Sequence, residues 1–304
     1  MLFNTKKYTQ IDGIYTADLT NIDTLKVTKF YSHAPFPNYS KKDNRITIKN
    51  SGDKNYLAKN FKEFCQSDKK ILEAGSGTSQ LSNYLAIGTN NQIFAFDATF
   101  EALQKGKKFS SENGINNIHF IQGDILEKVF EENFFDIIWC NGVLHHTPDP
   151  YLGFQNLVKS LKSKGYILIG LYNRYGRFWT VLRRYISKFI GTKFLMFFDP
   201  HLRQIGKNKL ENHDRIESWI RDQYKHPIES LHTFDEVLKW FKLNNIEYIS
   251  SLPTFSLNLD NVKYKIFSKQ NSGNFFERFI NQILMLFQSY GKEGGVFIVL
   301  GRKK

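Results

Sequence analysis

The stretch Ile71-Leu72-Glu73-Ala74-Gly75-Ser76-Gly77-Thr78 carries most of the information about the fold. A short apolar run ends in an acidic residue, and two glycines separated by one residue follow it. Glycine tolerates the backbone angles of a sharp strand-to-helix turn, and it lets main-chain N–H groups approach a ligand closely. The stretch therefore predicts a nucleotide-type cofactor site after the first strand of a doubly wound sheet.

The spacing of the glycines narrows the kind of cofactor. A dinucleotide fingerprint, G-x-G-x-x-G, would need a third glycine where Gln80 stands, and its loss weakens a pyrophosphate assignment. Glu73, two residues before Gly75, suits a cofactor that carries an amine. Tight turns with two glycines also occur without any ligand, so the assignment depends on the segments that follow.

Three further strands follow in the order that this fold requires. They are predicted at Gln92–Phe96, at Ile118–Gln122 and from Phe135 to Gly142, the last ending in the polar, flexible pair Asn141-Gly142. Asp97 lies about 20 residues after the glycine turn, where this fold places a carboxylate against ribose hydroxyls. It could also cap the following helix. Asp124 follows the third strand, and its alternative is an exposed turn residue.

Two adjacent histidines, His145 and His146, follow the fourth strand. The carboxyl end of this strand faces the crevice where substrate meets cofactor, and histidine titrates near neutral pH. Both are therefore predicted as candidate general bases. Adjacent side chains cannot point in one direction, so at most one should face the reacting atom. The alternative for His145 is packing against the following turn.

The composition is that of a cytoplasmic enzyme. A chain of 304 residues can bury one large core with a sizeable insertion. Its first residues lack the apolar run of a secretory signal, and no stretch approaches the roughly 20 apolar residues of a membrane span. The two cysteines, Cys65 and Cys140, are far apart and indicate reduced thiols. No Cys/His cluster has metal-ligand spacing, so no metal is expected.

We divide the chain into four parts. Residues 1–68 form a leader, 69–172 the cofactor-binding core, 173–230 a basic helical insertion on the acceptor side, and 231–304 the rest of the core with a second helical insertion. In the leader, the stretch Pro35-Phe36-Pro37-Asn38-Tyr39 cannot be helical. It is predicted either to lie over the bound cofactor as a lid or to pack against the outside of the core.

The basic insertion contains an amphipathic helix. From Arg174 to Lys225 there are twelve Lys or Arg residues against five Asp or Glu, which accounts for about half of the chain's net charge of +13. Apolar side chains recur at helical spacing, with cations between them that are expected on the outer face. The apolar set is Phe178, Leu182, Tyr185, Ile186 and Phe189, and the cations are Arg183, Arg184 and Lys188. A solvated surface helix, a membrane-surface helix and a nucleic-acid contact are the alternatives.

The second insertion also carries an apolar helical face. Its members are Phe275, Phe276, Phe279, Ile280, Ile283, Leu284 and Phe287. Core packing, a dimer seam and a membrane face all fit that pattern. Core packing is the prediction.

The run from Leu72 to Leu171 resembles the class I S-adenosylmethionine (SAM)-dependent methyltransferases, in particular the ubiquinone-biosynthesis-like (type 11) group. The resemblance implies an α/β fold with a doubly wound, Rossmann-like sheet of seven mostly parallel strands. The last strand is antiparallel, and an N-terminal lid and helical insertions are added. SAM is the implied cofactor, with Glu73 at its methionine part, Asp97 at the ribose and Asp124 at the adenine. The predicted cofactor-binding set is Tyr39, Glu73, Gly75, Ser76, Gly77, Asp97, Ala98, Gly123, Asp124, Ile125 and Asn141.

The wider arrangement is similar to bacterial methyltransferases of mostly unassigned substrate. The segments that carry this similarity are Pro35–Tyr39, Gly170–Arg177 and Asp222–Pro227, together with His232. A fifth strand is predicted from Gly165 to Leu171, and the two arginines that follow it could bind a carboxylate or phosphate through their forked donors. The predicted substrate-binding set is Arg174, Arg177, Tyr224, His226 and His232.

These observations predict a SAM-dependent methyltransferase that acts on an oxygen or nitrogen of a small-molecule acceptor, anionic or lipid-like. A transfer-RNA acceptor is the main alternative among enzymes, although nucleic acid is not favoured. A module that binds SAM or a related nucleoside without turnover is the alternative of another class. Peripheral membrane contact stays open, and the sequence does not decide the oligomeric state.

Overall fold

A computed structural model describes residues 8–32, 35, 37–40, 42–205, 213–257, 266–288 and 294–304. The strands are β1 (Thr9–Ile11), β2 (Ile14–Thr16), β3 (Lys70–Ala74), β4 (Gln92–Asp97), β5 (Ile118–Gln122), β6 (Phe135–Asn141), β7 (Leu161–Tyr172), β8 (Ile246–Leu252) and β9 (Val296–Lys303).

The strands of the described chain form one sheet in the order β1-β2-β5-β4-β3-β6-β7-β9-β8. From β5 to β7 neighbouring strands are parallel, and β9 lies antiparallel between β7 and β8. The segment from β5 to β8 is the predicted seven-stranded Rossmann-like sheet with its antiparallel last strand, so the fold class is confirmed.

The leader adds a hairpin that the sequence pattern did not predict. β1 pairs antiparallel with β2, and β2 pairs parallel with β5, which extends the sheet at one edge. Strands of three residues are too short to show an alternation of apolar and polar residues. The turn between them is formed by Asp12 and Gly13, both with positive φ, as tight hairpin turns require.

The helices cover both faces of the sheet. In the leader and the core they are α1 (Ile22–Ser32), α2 (Arg45–Lys54), α3 (Tyr56–Cys65), α4 (Gln80–Ala86), α5 (Phe100–Glu112) and α6 (Pro150–Ser160). In the insertions and between them they are α7 (Phe178–Ile190), α8 (Leu195–Phe198), α9 (Pro200–Ile205), α10 (His213–Tyr224), α11 (Phe234–Leu243) and α12 (Phe275–Leu284).

The central strands are buried on both sides, as a parallel sheet between two helical layers requires. Neighbouring residues of β3 belong to different apolar clusters: Ile71 packs with α3 and α4 residues, whereas Leu72 packs with residues of α6 and α11. These two layers hold the carboxyl ends of β3 to β6 in fixed positions. The polar residues that follow those strands therefore meet at one edge of the sheet.

The basic insertion has a small apolar cluster of its own, formed by Leu195, Leu202, Trp219 and Tyr224. It therefore packs as a separate layer beside the core, while the domain boundaries themselves stay a prediction. Within the described ranges, no helix combines the length and the apolar character that crossing a bilayer would require.

Candidate active site

A cavity of about 520 Å³ opens where β3, β4, β5 and β6 end. The loops after these strands form its floor, and the leader helices α1 and α2 form part of its wall. Cofactor and drug-sized ligands occupy cavities of about 300–1,000 Å³. The cavity therefore has the size that a nucleoside cofactor and part of an acceptor need.

The glycine turn brings the backbone close to the loop after β6. Gly75 has φ +75°, and a Cβ atom built on it would lie 2.1 Å from Cγ2 of Val143. A side chain at this position would displace Val143, which itself lines the cavity. Glycine is thus required here by both conformation and space, as the sequence predicted.

Glu73 is buried at the end of β3. One of its carboxylate oxygens accepts a hydrogen bond from Ser82 N at 2.8 Å and another from Ser82 Oγ. Burial nevertheless raises the pKa of Glu73 to about 8, because no cation lies close enough to offset the desolvation of the charge. A cationic ligand group would supply that missing charge.

Asp97 connects β4 to the glycine turn. Its carboxylate accepts from Gly77 N at 2.7 Å and from Thr99 N at 2.8 Å. Thr99, not Asp97, occupies the N-cap position of α5, so the capping alternative is wrong. Burial raises the pKa of this carboxyl group as well.

Asp124 is buried beneath the leader. Its carboxylate accepts from Leu126 N at 2.9 Å and from the Thr24 hydroxyl of α1 at 2.6 Å. The alternative of an exposed turn residue is therefore wrong, since Asp124 is only 2% exposed. The contact with Thr24 places α1 over this end of the cavity.

The two histidines occupy different positions. His146 lines the cavity, and its Nδ1 lies 2.8 Å from the carbonyl oxygen of Ile228. Because a carbonyl can only accept, Nδ1 carries the proton and Nε2 the lone pair. Burial lowers the pKa of His146 to about 4, although the bond to Ile228 acts in the opposite direction.

His145 points away from the cavity lining. Its ring stacks on Tyr172 at a centroid distance of 3.8 Å, and neither ring nitrogen has a hydrogen-bond partner among the described residues. Burial holds the pKa of His145 well below its ordinary value. The packing alternative for His145 fits this geometry better than the prediction of a general base.

The structure brings the predicted cofactor-binding residues together, with one exception. Those that line the cavity are Glu73, Gly75, Ser76, Gly77, Asp97, Ala98, Gly123, Asp124, Ile125 and Asn141. Tyr39 lies behind the glycine turn: its hydroxyl donates to Thr78 O at 2.9 Å, and its ring stacks on Phe109. This position does not support the prediction that Tyr39 contacts the cofactor.

The segment around Tyr39 combines features of both alternatives for the leader. Pro37 lines the cavity, and its carbonyl accepts from the Thr78 hydroxyl. The Asn38 carbonyl accepts from Gln80 Nε2 at 3.2 Å, which attaches the segment to α4. Phe36 lies outside the described residues. A lid function of this segment stays a prediction.

Arg177 does not face the cavity, so the structure contradicts its predicted role in substrate binding. Its side chain is 0% exposed, and its guanidinium lies 3.7 Å from the ring centroid of Tyr172. The same guanidinium makes a 3.0 Å ion pair with Glu229 and donates to Gln223 at 2.5 Å. The forked donors that suggested an anionic substrate are used inside the protein.

The other predicted substrate residues also lie outside the cavity lining. Arg174 is exposed, and Tyr224 donates to Asp199 at 2.6 Å. His232 bonds to Ser230 and Glu236 at 2.8 and 2.9 Å. His226 stacks on His146 at a centroid distance of 3.7 Å, so it supports the base candidate from behind. The resemblance placed these four near the crevice. The structure gives Tyr224, His226 and His232 packing and hydrogen-bonding roles. It leaves the Arg174 side chain exposed.

Tyr31, Asp222 and Tyr172 are among the lining residues that were not predicted. The Tyr31 hydroxyl donates to Asp222 at 2.7 Å, across 191 residues of sequence, and Gln223 Nε2 donates to the second carboxylate oxygen at 2.8 Å. Asp222 lies in one of the segments that carried the family similarity, which was its only signal. Tyr31 gave none, because α1 reaches the cavity only through the tertiary fold.

The ionisable side chains with a formal charge that line the cavity are all acidic. The carboxylates of Glu73, Asp97, Asp124 and Asp222 line it, and no Lys or Arg belongs to the described lining. SAM carries a sulfonium and an ammonium group, so buried carboxylates without cation partners fit it well. Within the described ranges, no group of three or more His, Cys, Asp or Glu side chains could hold a metal ion.

Comparison with known proteins agrees with this geometry. A family model described as a methyltransferase domain matches residues 65–226, which is more than half of the chain. The match runs from the end of α3 to the loop after α10, so it includes every strand end that forms the cavity floor.

Curated relatives are similar over part of their length. The chain is 29% identical over 106 residues to the uncharacterized methyltransferase YcgJ of Bacillus subtilis, covering 34% of this chain and 41% of that protein. It is 29% identical over 137 residues to the ubiquinone biosynthesis O-methyltransferase of Actinobacillus pleuropneumoniae, covering 43% and 55%. The chain therefore spans only about half of the curated relatives that it matches.

Solved structures share the fold. PKMT2 from Rickettsia typhi superimposes with a TM-score of 0.57 at 18% identity, covering 84% of this chain and 53% of that chain. The same protein has been solved in complex with AdoHcy, and that structure gives a TM-score of 0.55.

Proposed function

The chain belongs to the class I SAM-dependent methyltransferases, and we propose that it methylates a hydroxyl oxygen of an uncharged small-molecule acceptor in the cavity after β3 to β6. The enzyme class and the cofactor follow from the family. The proposal of a hydroxyl acceptor depends on the protonation state of His146. Its imidazole is neutral, and its tautomer leaves Nε2 able to accept a proton.

We propose that each of three lining carboxylates binds a different part of SAM. Glu73 holds the amino group of SAM, Asp97 the ribose hydroxyls and Asp124 the adenine end, beneath Thr24 of α1. When bound, SAM supplies an electrophilic methyl carbon on a positively charged sulfur. The residues around SAM fix its orientation and exclude water, and holding the methyl carbon close to the acceptor oxygen increases the rate of transfer.

His146 would accept the proton of the acceptor hydroxyl. Its pKa of about 4 keeps the ring unprotonated across the neutral range, so Nε2 carries a free lone pair when the acceptor binds. The Ile228 carbonyl and the stacked His226 hold the ring in place. An oxygen acceptor is favoured over nitrogen because the ubiquinone biosynthesis enzymes to which the chain is similar are O-methyltransferases.

An anionic acceptor is not part of this proposal, because the lining carboxylates would repel it and Arg177 is paired with Glu229. The transfer-RNA alternative loses support for a similar reason. Arg183 and Arg184 of the basic helix donate to Tyr224 and Glu229 instead of facing solvent. These two cations are therefore not available for phosphate contacts.

The acceptor can be found by incubating the protein with methyl-labelled SAM and a small-molecule extract, and then identifying the labelled product. We expect the label on an ether oxygen of a compound without net negative charge. Label on nitrogen, or in macromolecular RNA, would contradict the proposal while leaving the enzyme class intact.

With that acceptor, His146→Gln is expected to lower kcat by about 10²-fold at saturating SAM, the usual contribution of a general base. SAM affinity should change little, because the base contacts the acceptor. The wild-type kcat should show no inflection near pH 6.5, since burial lowers the pKa of His146 to about 4.

The matched control is His119→Gln, because His119 lies on β5 outside the cavity lining and stacks on Phe94. Its kcat should remain near that of the wild type. An unchanged kcat in His146→Gln, or a loss seen only in SAM affinity, would rule out His146 as the base.

A further inference from the structure

Helix α7 is oriented with its apolar face away from the protein. Phe178, Leu182, Tyr185 and Phe189 recur at intervals of three and four residues, and all four are exposed, Phe189 to 87%. Thr180, on the opposite side of the helix, is its one buried residue. A surface helix of a globular protein normally has the reverse arrangement.

The polar side of α7 determines this orientation. Arg184 makes a 2.6 Å ion pair with the buried carboxylate of Glu229. Arg183 donates to the Tyr224 hydroxyl at 3.1 Å and to the Thr180 hydroxyl at 3.2 Å. The prediction that these two arginines lie on the outer face is therefore wrong. Because the charged contacts are made inside the protein, rotation of α7 to bury its apolar face would break them.

A second helix extends the exposed apolar area. The predicted apolar face of α12 and of the turn that follows it is largely exposed, and Phe287 is 77% exposed. The prediction that this face packs in the core is therefore wrong. Trp179 Nε1 of α7 donates to Leu286 O at 2.9 Å, and Tyr175 contacts Phe279 edge to face. These contacts join the two helices into one surface.

We call this the aromatic surface. Its exposed members are Phe178, Trp179, Leu182, Tyr185, Phe189, Ile190, Phe275, Phe276, Phe279, Leu284 and Phe287. Contiguous apolar surface on this scale marks an interaction site. The chemistry of the partner follows from the charges around it.

The exposed charges on the part of the aromatic surface between residues 178 and 205 are positive, whereas α12 carries Glu277 and Arg278. Lys188, Lys193 and Arg203 are exposed. The one acidic residue between 178 and 205 is Asp199, which is buried and accepts from Trp219 and Tyr224. Aromatic side chains beside exposed cations match the interface of an anionic bilayer, where rings lie at the acyl boundary and cations at the headgroups. The net charge of +13 adds long-range attraction.

We propose that the aromatic surface docks on an anionic lipid bilayer, with α7 and α12 lying in the plane of the interface. This docking is independent of which acceptor is methylated. It leaves the cofactor cavity intact, because none of the exposed members of the aromatic surface lines that cavity.

The test is sedimentation of the full chain with vesicles of phosphatidylcholine, alone or mixed equally with phosphatidylglycerol. We expect binding to the mixed vesicles that weakens as salt is added, and little binding to phosphatidylcholine alone. The double variant Phe189→Asp with Phe287→Asp should bind the mixed vesicles about tenfold or more weakly, since two exposed anchors are replaced by charges.

The control is Ile46→Asp, which changes an exposed apolar residue of α2 outside the aromatic surface and should leave vesicle binding unchanged. Unfolding midpoint and SAM affinity of the double variant should match the wild type, because both phenylalanines are mostly exposed. Absence of vesicle binding by the wild type, or equal binding by the double variant, would overturn the proposal. So would a concentration-dependent dimer that the double variant abolishes, which would assign the surface to a second copy of the chain.

Discussion

Replacing Arg177 with alanine is expected to lower the free energy of unfolding by about 3–5 kcal/mol, the cost of leaving a buried charge without its partner. Arg177 is fully buried, and it holds Glu229, Gln223 and the face of Tyr172. Burial acts to raise the pKa of Glu229, but the two arginines outweigh it and lower that pKa. Arg184 remains as an ion-pair partner of Glu229, so the decrease in the free energy of unfolding should lie at the lower end of this range. Denaturant unfolding at neutral pH measures it.

Two variants sharpen this experiment. Arg174→Ala removes an exposed arginine three residues away, and a surface substitution of that kind changes stability by at most about 0.5 kcal/mol. Arg177→Lys keeps the charge but loses the fork that reaches Glu229 and Gln223 together, so it should recover only part of the loss. Equal stability of Arg177→Ala and Arg174→Ala would contradict the buried ion pair.

SAM affinity is expected to weaken about tenfold or more between about pH 8.5 and about pH 6.5, because the cavity must bind the cation with an ionised Glu73. Burial raises the pKa of Glu73 to about 8 in the free protein. Below that pH the carboxyl group is mostly protonated, so binding has to release the proton and its apparent affinity falls. Titration calorimetry in buffers of different ionisation enthalpy measures both affinity and proton release.

Glu73→Gln should bind SAM more weakly at the alkaline end, and the dependence on pH should largely disappear. Glu112→Gln is the matched control, since Glu112 is exposed on α5 and far from the cavity lining. It should retain the full pH dependence. A Glu73→Gln protein with the wild-type dependence would show that another group takes up the proton.

The floor of the cavity could be predicted because it depends on local sequence. Glu73 and Asp97 lie at the carboxyl ends of β3 and β4, Asp124 lies just after β5, and parallel strands align their carboxyl ends at one edge. Once the strands were identified, their neighbours in sequence became neighbours in space. Gly75 was predictable for the same reason, because a sharp turn requires glycine at a fixed position in the local sequence.

The acceptor side could not be predicted because it depends on contacts between distant segments. Arg177 lies a few residues after the end of β7, but its partner Glu229 lies 52 residues further along the chain and holds it in the interior. Tyr31 meets Asp222 across 191 residues. Spacing in the sequence carries no record of either pair. The sequence offered both His145 and His146 as candidate bases. Only the structure shows that His146 bonds to the Ile228 carbonyl.

Helix α7 shows a different limit. Periodicity located its apolar and basic faces correctly but did not determine which face contacts the protein. The usual assumption, apolar inward and charged outward, fails because Glu229 and Tyr224 offer partners to Arg184 and Arg183. The same assumption failed for α12, whose apolar face is exposed.

A crystal structure of the protein with S-adenosylhomocysteine tests the central claim most directly. The account predicts the ribose hydroxyls within hydrogen-bonding distance of the Asp97 carboxylate and the amino group beside Glu73. The adenine should lie near Asp124 and Thr24, with the sulfur facing the space that His146 lines. A nucleoside bound outside this cavity, or bound inside it with Asp97 still engaged only by Gly77 and Thr99, would contradict the account.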